Sequence, residues 1–297
     1  MFNYRASIRL EDVQNEVIAW FDRNGRDLPW RHDDFTPWGS LVSEFMLQQT
    51  PVARVIPRLE EWLDRWPTPA ALAASAPGDA VRAWSNLGYP RRALWLHACA
   101  VAIVERHGGE VPSEVDALLA LPGVGDYTAR AVAVFAFGAH EPVVDTNIRR
   151  VIARHEHGRS DQDHPRTQVD LADMRALLPS PAQSPRFNQG VMELGSLVCT
   201  AKNPACDECP IASTCAWRQA GYPDTAAKGV PKQKKYEGSD RQARGAILAV
   251  LRAAEHPVAH DDIERAWPEA AQRGRALTSL LADGLIIAVD DDLFALP

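Results

Sequence analysis

Apolar residues recur every three to four positions along most of the chain, which is the spacing of amphipathic helices. Two examples are QNEVIAWFDR at 14–23 and TARAVAVFAFG at 128–138. The alternation of apolar and polar residues that indicates a strand is almost absent before residue 285. Glycine and proline fall between the periodic segments, as in LPGVGD at 121–126. The pattern predicts a mainly α-helical fold.

The end of the chain has a different pattern. Residues 221–244 contain Pro, Gly, Lys and Asp without apolar periodicity, and we interpret them as a linker. They carry a net charge of +3, so the linker is either a solvated tether or a strap that contacts phosphate groups. Residues 245–297 then show three helical patterns and an alternating ribbon, the order of a winged-helix-like module.

Composition sets few limits on function. With 46% hydrophobic and 24% charged residues, the 297-residue chain has the content of an ordinary globular protein. No apolar run approaches the ~20 residues of a membrane span, and the N-terminus lacks the apolar core of a signal peptide. We therefore expect a cytoplasmic protein that has no contact with a membrane.

The net charge of -7 argues weakly against a nucleic-acid partner. However, residues 246–297 hold nine acidic residues against four arginines, so the rest of the chain carries only -2. The acidity belongs mainly to the C-terminal module.

Four of the five cysteines are clustered, whereas Cys99 stands alone. Their spacing is C-x6-C-x2-C-x5-C, at Cys199, Cys206, Cys209 and Cys215. Such a cluster in a cytosolic chain favours a metal site over disulfides. Four thiolates can hold either a zinc ion or a cubane iron-sulfur cluster, and the spacing alone leaves both open.

The segment LPGVGDYTA contains a second candidate site. Gly123 and Gly125 can adopt backbone angles closed to other residues, and the helix that follows offers free amides to an anion. These are the features of a helix-hairpin-helix, which binds a DNA phosphate without reading sequence. A plain corner between two helices would give the same pattern.

Two carboxylates are candidates for chemistry. Asp145 precedes a basic helix in PVVDTNIRRVIAR, where it is either an N-cap or a reactive carboxylate kept ionised by the helix N-terminus. Glu44 lies in the apolar and amide-rich SEFMLQQTPVARV, where it is either a surface residue or a buried acid with raised proton affinity. An ionised Asp with a protonatable Glu is what glycosidic chemistry requires.

Together these segments resemble the MutY-type adenine DNA glycosylases of the helix-hairpin-helix superfamily. The resemblance spans residues 14–217 and rests on segments that occur in the family's order. They are LPWR, SEFMLQQTPVARVIP, SNLGYPRRALWLH, LPGVGDYTARAVAVFAFG, VDTNIRRVIAR and FNQGVMELGSLVC with the cysteine loop. The resemblance implies a [4Fe-4S] cluster rather than zinc. It also implies a two-lobed glycosylase fold over 1–220, with a barrel lobe at 30–140 and a cluster lobe formed by the N-terminal segment and 141–218.

The resemblance also assigns roles to single residues. Glu44 would be the general acid and base that protonates adenine, Asp145 would stabilise the sugar cation, and Asn147 would orient the catalytic groups. Residues of the QQT and LGY motifs would wedge into the base stack during base flipping, namely Gln48, Gln49 and Tyr89. Tyr127 stands where endonuclease III-like enzymes have a lysine that forms a Schiff base, so the implied reaction removes a base without cutting the strand.

The implied partner is double-stranded DNA with adenine opposite 8-oxoguanine or guanine, bound by a monomer that is associated with the nucleoid. One alternative is a mismatch thymine glycosylase, because related enzymes also carry Tyr at the hairpin position. Another is a non-catalytic iron-sulfur DNA-binding regulator, which the motifs around Glu44 and Asp145 and the acidity of the module disfavour.

The chain departs from the family pattern at Pro90 and Thr146 and most strongly at its C-terminus. The usual Nudix-like C-terminal domain does not fit in the roughly 76 residues after Gly221. We therefore expect Gln49, Tyr89 and their neighbours to discriminate 8-oxoguanine, and removal of residues 240–297 to change this preference little. In the module, Arg273 and Arg275 are the candidate DNA contacts.

Overall fold

A computed structural model describes residues 10–225, 235–290 and 292–297. These residues form fifteen α-helices and one three-stranded antiparallel sheet, which confirms the predicted mainly α-helical fold. None of the described helices is long and apolar enough to cross a membrane. Residues 226–234 of the predicted linker lie outside the described residues.

The chain divides into two compact units. The first unit comprises the described residues up to Phe35 together with those from Asp126 to Thr225. Its apolar core includes Phe21, Ile148 and Leu194. Its helices are α1 (Leu10–Asn24), α8 (Asp126–Phe137), α9 (Thr146–His155), α10 (Thr167–Leu177), α11 (Ser184–Leu197) and α12 (Ala216–Gln219), with 3₁₀ turns at Pro29–Arg31 and Cys206–Glu208.

The second unit comprises the described residues from Thr36 to Gly125 and from Lys235 onward. Trp62 lies at its centre, edge-on to Trp66 and Trp84 at ring distances of 4.6 and 5.7 Å. Its first helices are α2 (Pro37–Leu47), α3 (Val52–Arg65), α4 (Pro69–Ala73), α5 (Pro77–Trp84), α6 (Arg91–His107) and α7 (Val115–Leu119).

The C-terminal module has the predicted order of three helices and a ribbon, with an additional short strand that pairs with the last strand. Its elements are α13 (Asp240–Ala253), β1 (Val258–Ala259), α14 (His260–Ala266), α15 (Ala270–Ala282), β2 (Ile287–Asp290) and β3 (Leu293–Ala295). The helix α13 starts inside the predicted linker, because Ser239 caps its N-terminus by accepting a hydrogen bond from the Gln242 amide. The linker is therefore shorter than 221–244.

The structure also places the lobe boundary differently from the sequence analysis. The chain divides at Gly125 and Asp126 rather than near residue 140. The reason is that α8 packs into the first unit, where Ala131 and Val134 form a cluster with Val143. The module belongs to the second unit instead of standing apart.

Candidate active site

Asp145 caps the N-terminus of α9, as predicted. Its Oδ1 accepts a hydrogen bond from the Ile148 amide at 2.7 Å, and its Oδ2 accepts one from Asn147 Nδ2 at 2.8 Å. Burial raises the pKa of Asp145 above its ordinary value, and these hydrogen bonds oppose that rise only in part.

Arg150 connects the Asp145 group to the cysteine loop. Its Nη2 donates to Asn147 Oδ1 at 2.7 Å and to the Gly195 carbonyl at 2.6 Å, and its Nε donates to the Cys199 carbonyl at 2.7 Å. Gly195 lets α11 approach α9 closely, since a Cβ there would lie 2.8 Å from Asn147 Cβ. Arg150 is only 5% exposed, so it positions Asn147 rather than presenting a surface charge.

The four clustered cysteines line one small cavity with Val198, Pro204 and Ala212. Burial raises the pKa of Cys209 to about 11 and also raises that of Cys215, and the neighbouring thiolates add to both shifts. Four soft sulfur donors in apolar surroundings fit an iron-sulfur cluster, whose positive iron ions would favour the thiolate forms.

Arg154 places a positive charge beside this cavity. Its Nη1 donates to the Thr200 carbonyl at 2.7 Å and lies 3.4 Å from Cys199 Sγ. The guanidinium group also stacks over the Trp217 ring at 4.7 Å. A donor directed at a ligating sulfur is one means by which a protein stabilises such a cluster.

Glu193 fixes the N-terminal segment to α11. Its carboxylate, on a side chain that is 1% exposed, pairs with Arg26 Nε and Arg31 Nη2, each at 2.8 Å. Burial acts to raise the pKa of Glu193, but the hydrogen bonds from both arginines outweigh it and lower the pKa to about 2. Arg31 belongs to the LPWR motif, which thus has a structural role here.

Glu44 lies in the C-terminal half of α2, a helix in which every residue from Trp38 to Met46 is buried. Thr36 begins this helix by accepting a hydrogen bond from the Gly39 amide at 3.0 Å, and Pro37 occupies the first turn. Glu44 is 7% exposed. The structure therefore does not support the alternative of a surface glutamate.

Gln49 and Tyr89 share a strained backbone conformation. Their φ angles are 54° and 45°, values that residues other than glycine rarely adopt. Such conformations are unfavourable by about 1–3 kcal/mol and persist where the surroundings impose them, often at functional sites. Both side chains are exposed, while Gln48 is half-buried at the end of α2.

Arg92 holds both strained loops in place. Its guanidinium donates to the Phe45 carbonyl at 2.6 Å, to Thr50 Oγ1 at 3.0 Å and to the Gly88 carbonyl at 3.1 Å. Burial lowers the pKa of Arg92 to about 10, so the group remains a cation at neutral pH. This residue could not be predicted from the sequence, because a buried arginine has no distinctive spacing.

The LPGVGD turn has the predicted form only in part. Gly123 has a φ of 76°, and a Cβ there would lie 2.7 Å from Trp95 Cβ, so glycine is required. A Cβ at Gly125 would meet nothing within 4 Å, and its φ is not positive, so the fold itself does not require glycine there. The turn leads into α8, which begins at Asp126 and carries the half-buried Tyr127 in its first turn.

The predicted site residues fall into two sets. The first unit contains Tyr127, Asp145, Asn147, Cys199, Cys206, Cys209 and Cys215. The second unit contains Glu44, Gln48, Gln49, Tyr89, Gly123 and Gly125.

The two arginines proposed as DNA contacts in the module differ in exposure. Arg273 is 7% exposed and donates to the carbonyls of Trp267 and Pro268 at 3.0 and 2.9 Å. Arg275 pairs with Asp240 at 3.0 Å. That expectation is corrected for Arg273, which is turned into the module; Arg275 is exposed, and its contact with DNA stays a prediction.

Comparison with known proteins gives matches over most of the chain. Residues 42–174 match the HhH-GPD superfamily base excision DNA repair protein model, and residues 199–215 match the iron-sulfur binding domain of endonuclease III. The chain is 53% identical over 283 residues to the adenine DNA glycosylase of Mycobacterium tuberculosis, covering 95% of this chain and 92% of the relative.

Two further matches cover the catalytic region. The adenine DNA glycosylase of Homo sapiens is 39% identical over 224 residues, which are 73% of this chain and 41% of the human protein. A solved structure of a thermostable thymine-DNA glycosylase aligns with a TM-score of 0.65 and 26% identity, covering 71% of this chain and 97% of that structure.

Proposed function

Because the chain belongs to the adenine DNA glycosylase family of the HhH-GPD base excision repair superfamily, we propose that it hydrolyses the N-glycosidic bond of adenine opposite 8-oxoguanine or guanine in duplex DNA. The observation that carries the proposal is 53% identity to such an enzyme over 95% of the chain. The expected chemistry needs two carboxylates. Glu44 is buried in a helix, and Asp145 is fixed by hydrogen bonds.

The two carboxylates divide the work. Glu44 is the general acid that protonates the leaving adenine, a role supported by its burial in an apolar helix. Asp145 stabilises the positive charge that develops on the sugar, and its position is fixed by the hydrogen bonds from Ile148 and Asn147. Asn147 orients Asp145 and is itself held by Arg150.

Other residues bind the DNA and the cofactor. Gln48, Gln49 and Tyr89 enter the base stack, which the exposed and strained loops of Gln49 and Tyr89 support. The turn at Gly123 and Gly125 receives a backbone phosphate at the start of α8. The chain carries a [4Fe-4S] cluster, which would hold the cysteine loop against α9. Its proposed ligands are Cys199, Cys206, Cys209 and Cys215.

The enzyme is monofunctional. A phenol at Tyr127 cannot form the Schiff base that leads to strand cleavage. A second candidate substrate is mispaired thymine, favoured by the likeness to the thermostable thymine-DNA glycosylase. The higher identity to adenine DNA glycosylases favours adenine.

A product assay tests the proposal. End-labelled duplexes with A opposite 8-oxoguanine, A opposite G, T opposite G and A opposite T are incubated with the protein, and each sample is split before alkali treatment. We expect alkali-dependent breaks at adenine in the first two duplexes, and no breaks without alkali. Preferred release of thymine, or efficient incision at neutral pH without alkali, would contradict the proposal.

A further inference from the structure

A groove of about 740 Å³ opens in the second unit between the C-terminal module and the two strained loops. We propose that this groove binds a strand of the DNA substrate, so that the module forms part of the DNA-binding surface. The proposal rests on the proposed function, which supplies the DNA. It differs from the sequence-based expectation that the module contributes little.

The charge of the groove fits a phosphate backbone. Its described lining residues include one acidic residue, Asp283, and five arginines, of which Arg92 is buried and the other four are at least partly exposed. Asp283 pairs with both Arg91 and Arg244, at 3.3 and 2.6 Å. Arg241 lies on the exposed first turn of α13. The other described acidic residues of the module lie outside the groove, so the net acidity of the module does not describe this surface.

The groove also presents aromatic rings. Tyr89, Trp95 and Tyr236 line it with 51%, 39% and 58% of their surfaces exposed. On the facing helix α13, Gly245 and Ala249 also line the groove, and their small size leaves room for a close approach. Exposed aromatic rings beside arginines are the recurring arrangement of grooves that hold a nucleic-acid strand, because bases stack on the rings.

Backbone strain is concentrated at the same place. Five described residues other than glycine have a positive φ, and three of them, Gln49, Ser85 and Tyr89, line this groove. Strain of this kind persists where a ligand site requires a fixed shape. Two of the proposed wedge residues, Gln49 and Tyr89, therefore line the same groove as residues of the module.

The module is held firmly against α5, the helix that leads into the Ser85 loop. Arg82 of α5 donates to the carbonyls of Arg252 and Ala254 at 3.0 and 2.9 Å. The Gly78 amide donates to the Pro297 oxygen at 2.6 Å. Because the groove is preformed, a bound strand has little ordering cost to overcome.

The first test compares two charge reversals in the full chain with its cluster. Arg241→Glu lies in the groove, whereas Arg265→Glu, the matched control, lies on the exposed α14 and pairs within that helix with Asp262. Affinity is measured against salt concentration with a duplex that carries a tetrahydrofuran abasic-site analogue opposite guanine. A glutamate in the first turn of α13 suits the helix dipole, so Arg241→Glu should fold normally.

We expect Arg241→Glu to weaken binding about tenfold and to lower the salt slope by about 1, while Arg265→Glu changes affinity less than twofold. Equal losses in both variants, or no loss in either, would overturn the proposal. Since the abasic duplex undergoes no base release, the result stands apart from the test of the proposed function. An inactive wild type that still shows the Arg241 effect would refute only the glycosylase assignment.

The second test concerns stacking on Tyr236. Tyr236→Ala should weaken binding of the same duplex at least about fivefold, whereas Tyr236→Phe, which keeps the ring, should bind within about twofold of wild type. A loss of the same size in both variants would show that the hydroxyl rather than the ring matters and would reject the stacking contact.

Discussion

Asp145 is held by hydrogen bonds from its own helix, whereas Glu44 lies in a helix that is buried along most of its length. The Asp145 carboxylate accepts from Ile148 and Asn147, and Asn147 is fixed in turn by Arg150. The Glu44 side chain lies in a helix whose neighbouring residues, from Trp38 to Met46, are all buried. The two carboxylates thus lie in different surroundings, one at an N-terminus with defined hydrogen bonds and the other within a buried helix.

This difference determines what a conservative substitution tests. An amide in place of Glu44 keeps the size of the side chain and removes its ionisable proton. An amide in place of Asp145 can still accept from the Ile148 amide, but its NH₂ group would face the NH₂ group of Asn147, which is also a donor. The second change therefore alters both charge and orientation, while preserving the cap.

The largest effect is expected at Glu44. Glu44→Gln should reduce single-turnover release of adenine by about 10²–10⁴-fold, because it removes the proton donor. Binding of the abasic duplex should be unchanged. The control is Glu61→Gln, an exposed member of a surface pair with Arg58, which should retain normal turnover. Near-normal turnover of the Glu44 variant would show that Glu44 is not the general acid.

A somewhat smaller effect is expected at Asp145. Asp145→Asn should lower the rate of base release by about 10²–10³-fold, the range for loss of one electrostatic contact to the transition state. The melting temperature should change little, because asparagine is as good an N-cap as aspartate. If the variant keeps its activity, Asp145 acts only as a cap, and the two carboxylates are not a catalytic pair.

Local rules account for the features that the sequence predicts well. Asp145 as a cap follows from a contact over three residues, and the requirement for glycine at Gly123 follows from the turn between two helices. The helices themselves follow from apolar periodicity. The cap, the turn and the helices all depend on residues that are close together in the sequence.

The supporting residues could not be predicted in the same way. Arg92 and Phe45 are 47 residues apart, and Glu193 and Arg26 are 167 residues apart. A buried arginine and a surface arginine look alike in a sequence, because only long-range packing distinguishes them. The spacing from Asn147 to Arg150 was the one local signal, since residues three apart share a helix face.

The same limit applies to the C-terminal module. The net negative charge of the module predicted that it binds DNA poorly. Net charge is a sum over the whole module, however, whereas only particular residues, such as Arg241, line the groove. The attachment of the module through Arg82 depends on backbone carbonyls of Arg252 and Ala254, which any sequence would supply.

The smallest predicted effect concerns the stability of the unit that carries Asp145 and its dependence on pH. In the first unit, α11 is anchored by Glu193 through its pairs with Arg26 and Arg31. Glu193→Gln should destabilise the protein by about 2 kcal/mol at pH 7, less than for a fully buried pair, because the partly exposed Arg26 is screened by solvent. Glu61→Gln should change stability by under ~0.5 kcal/mol.

The pH dependence gives the sign of this contribution. The pKa of Glu193 is lowered to about 2 in the folded protein, whereas an unfolded chain has a glutamate pKa of about 4.3. The stabilisation is therefore fully present above about pH 5 and is lost as the pH falls from there towards about 2. Melting temperatures of wild type and Glu193→Gln should differ by a constant amount from pH 7 to 5 and converge below about pH 4. Any general acid sensitivity of the cluster affects both proteins and cancels in the difference. A gap that widened on acidification would show that Glu193 does not act as a buried anion, and ion pairs would then not be what anchors α11 in the first unit.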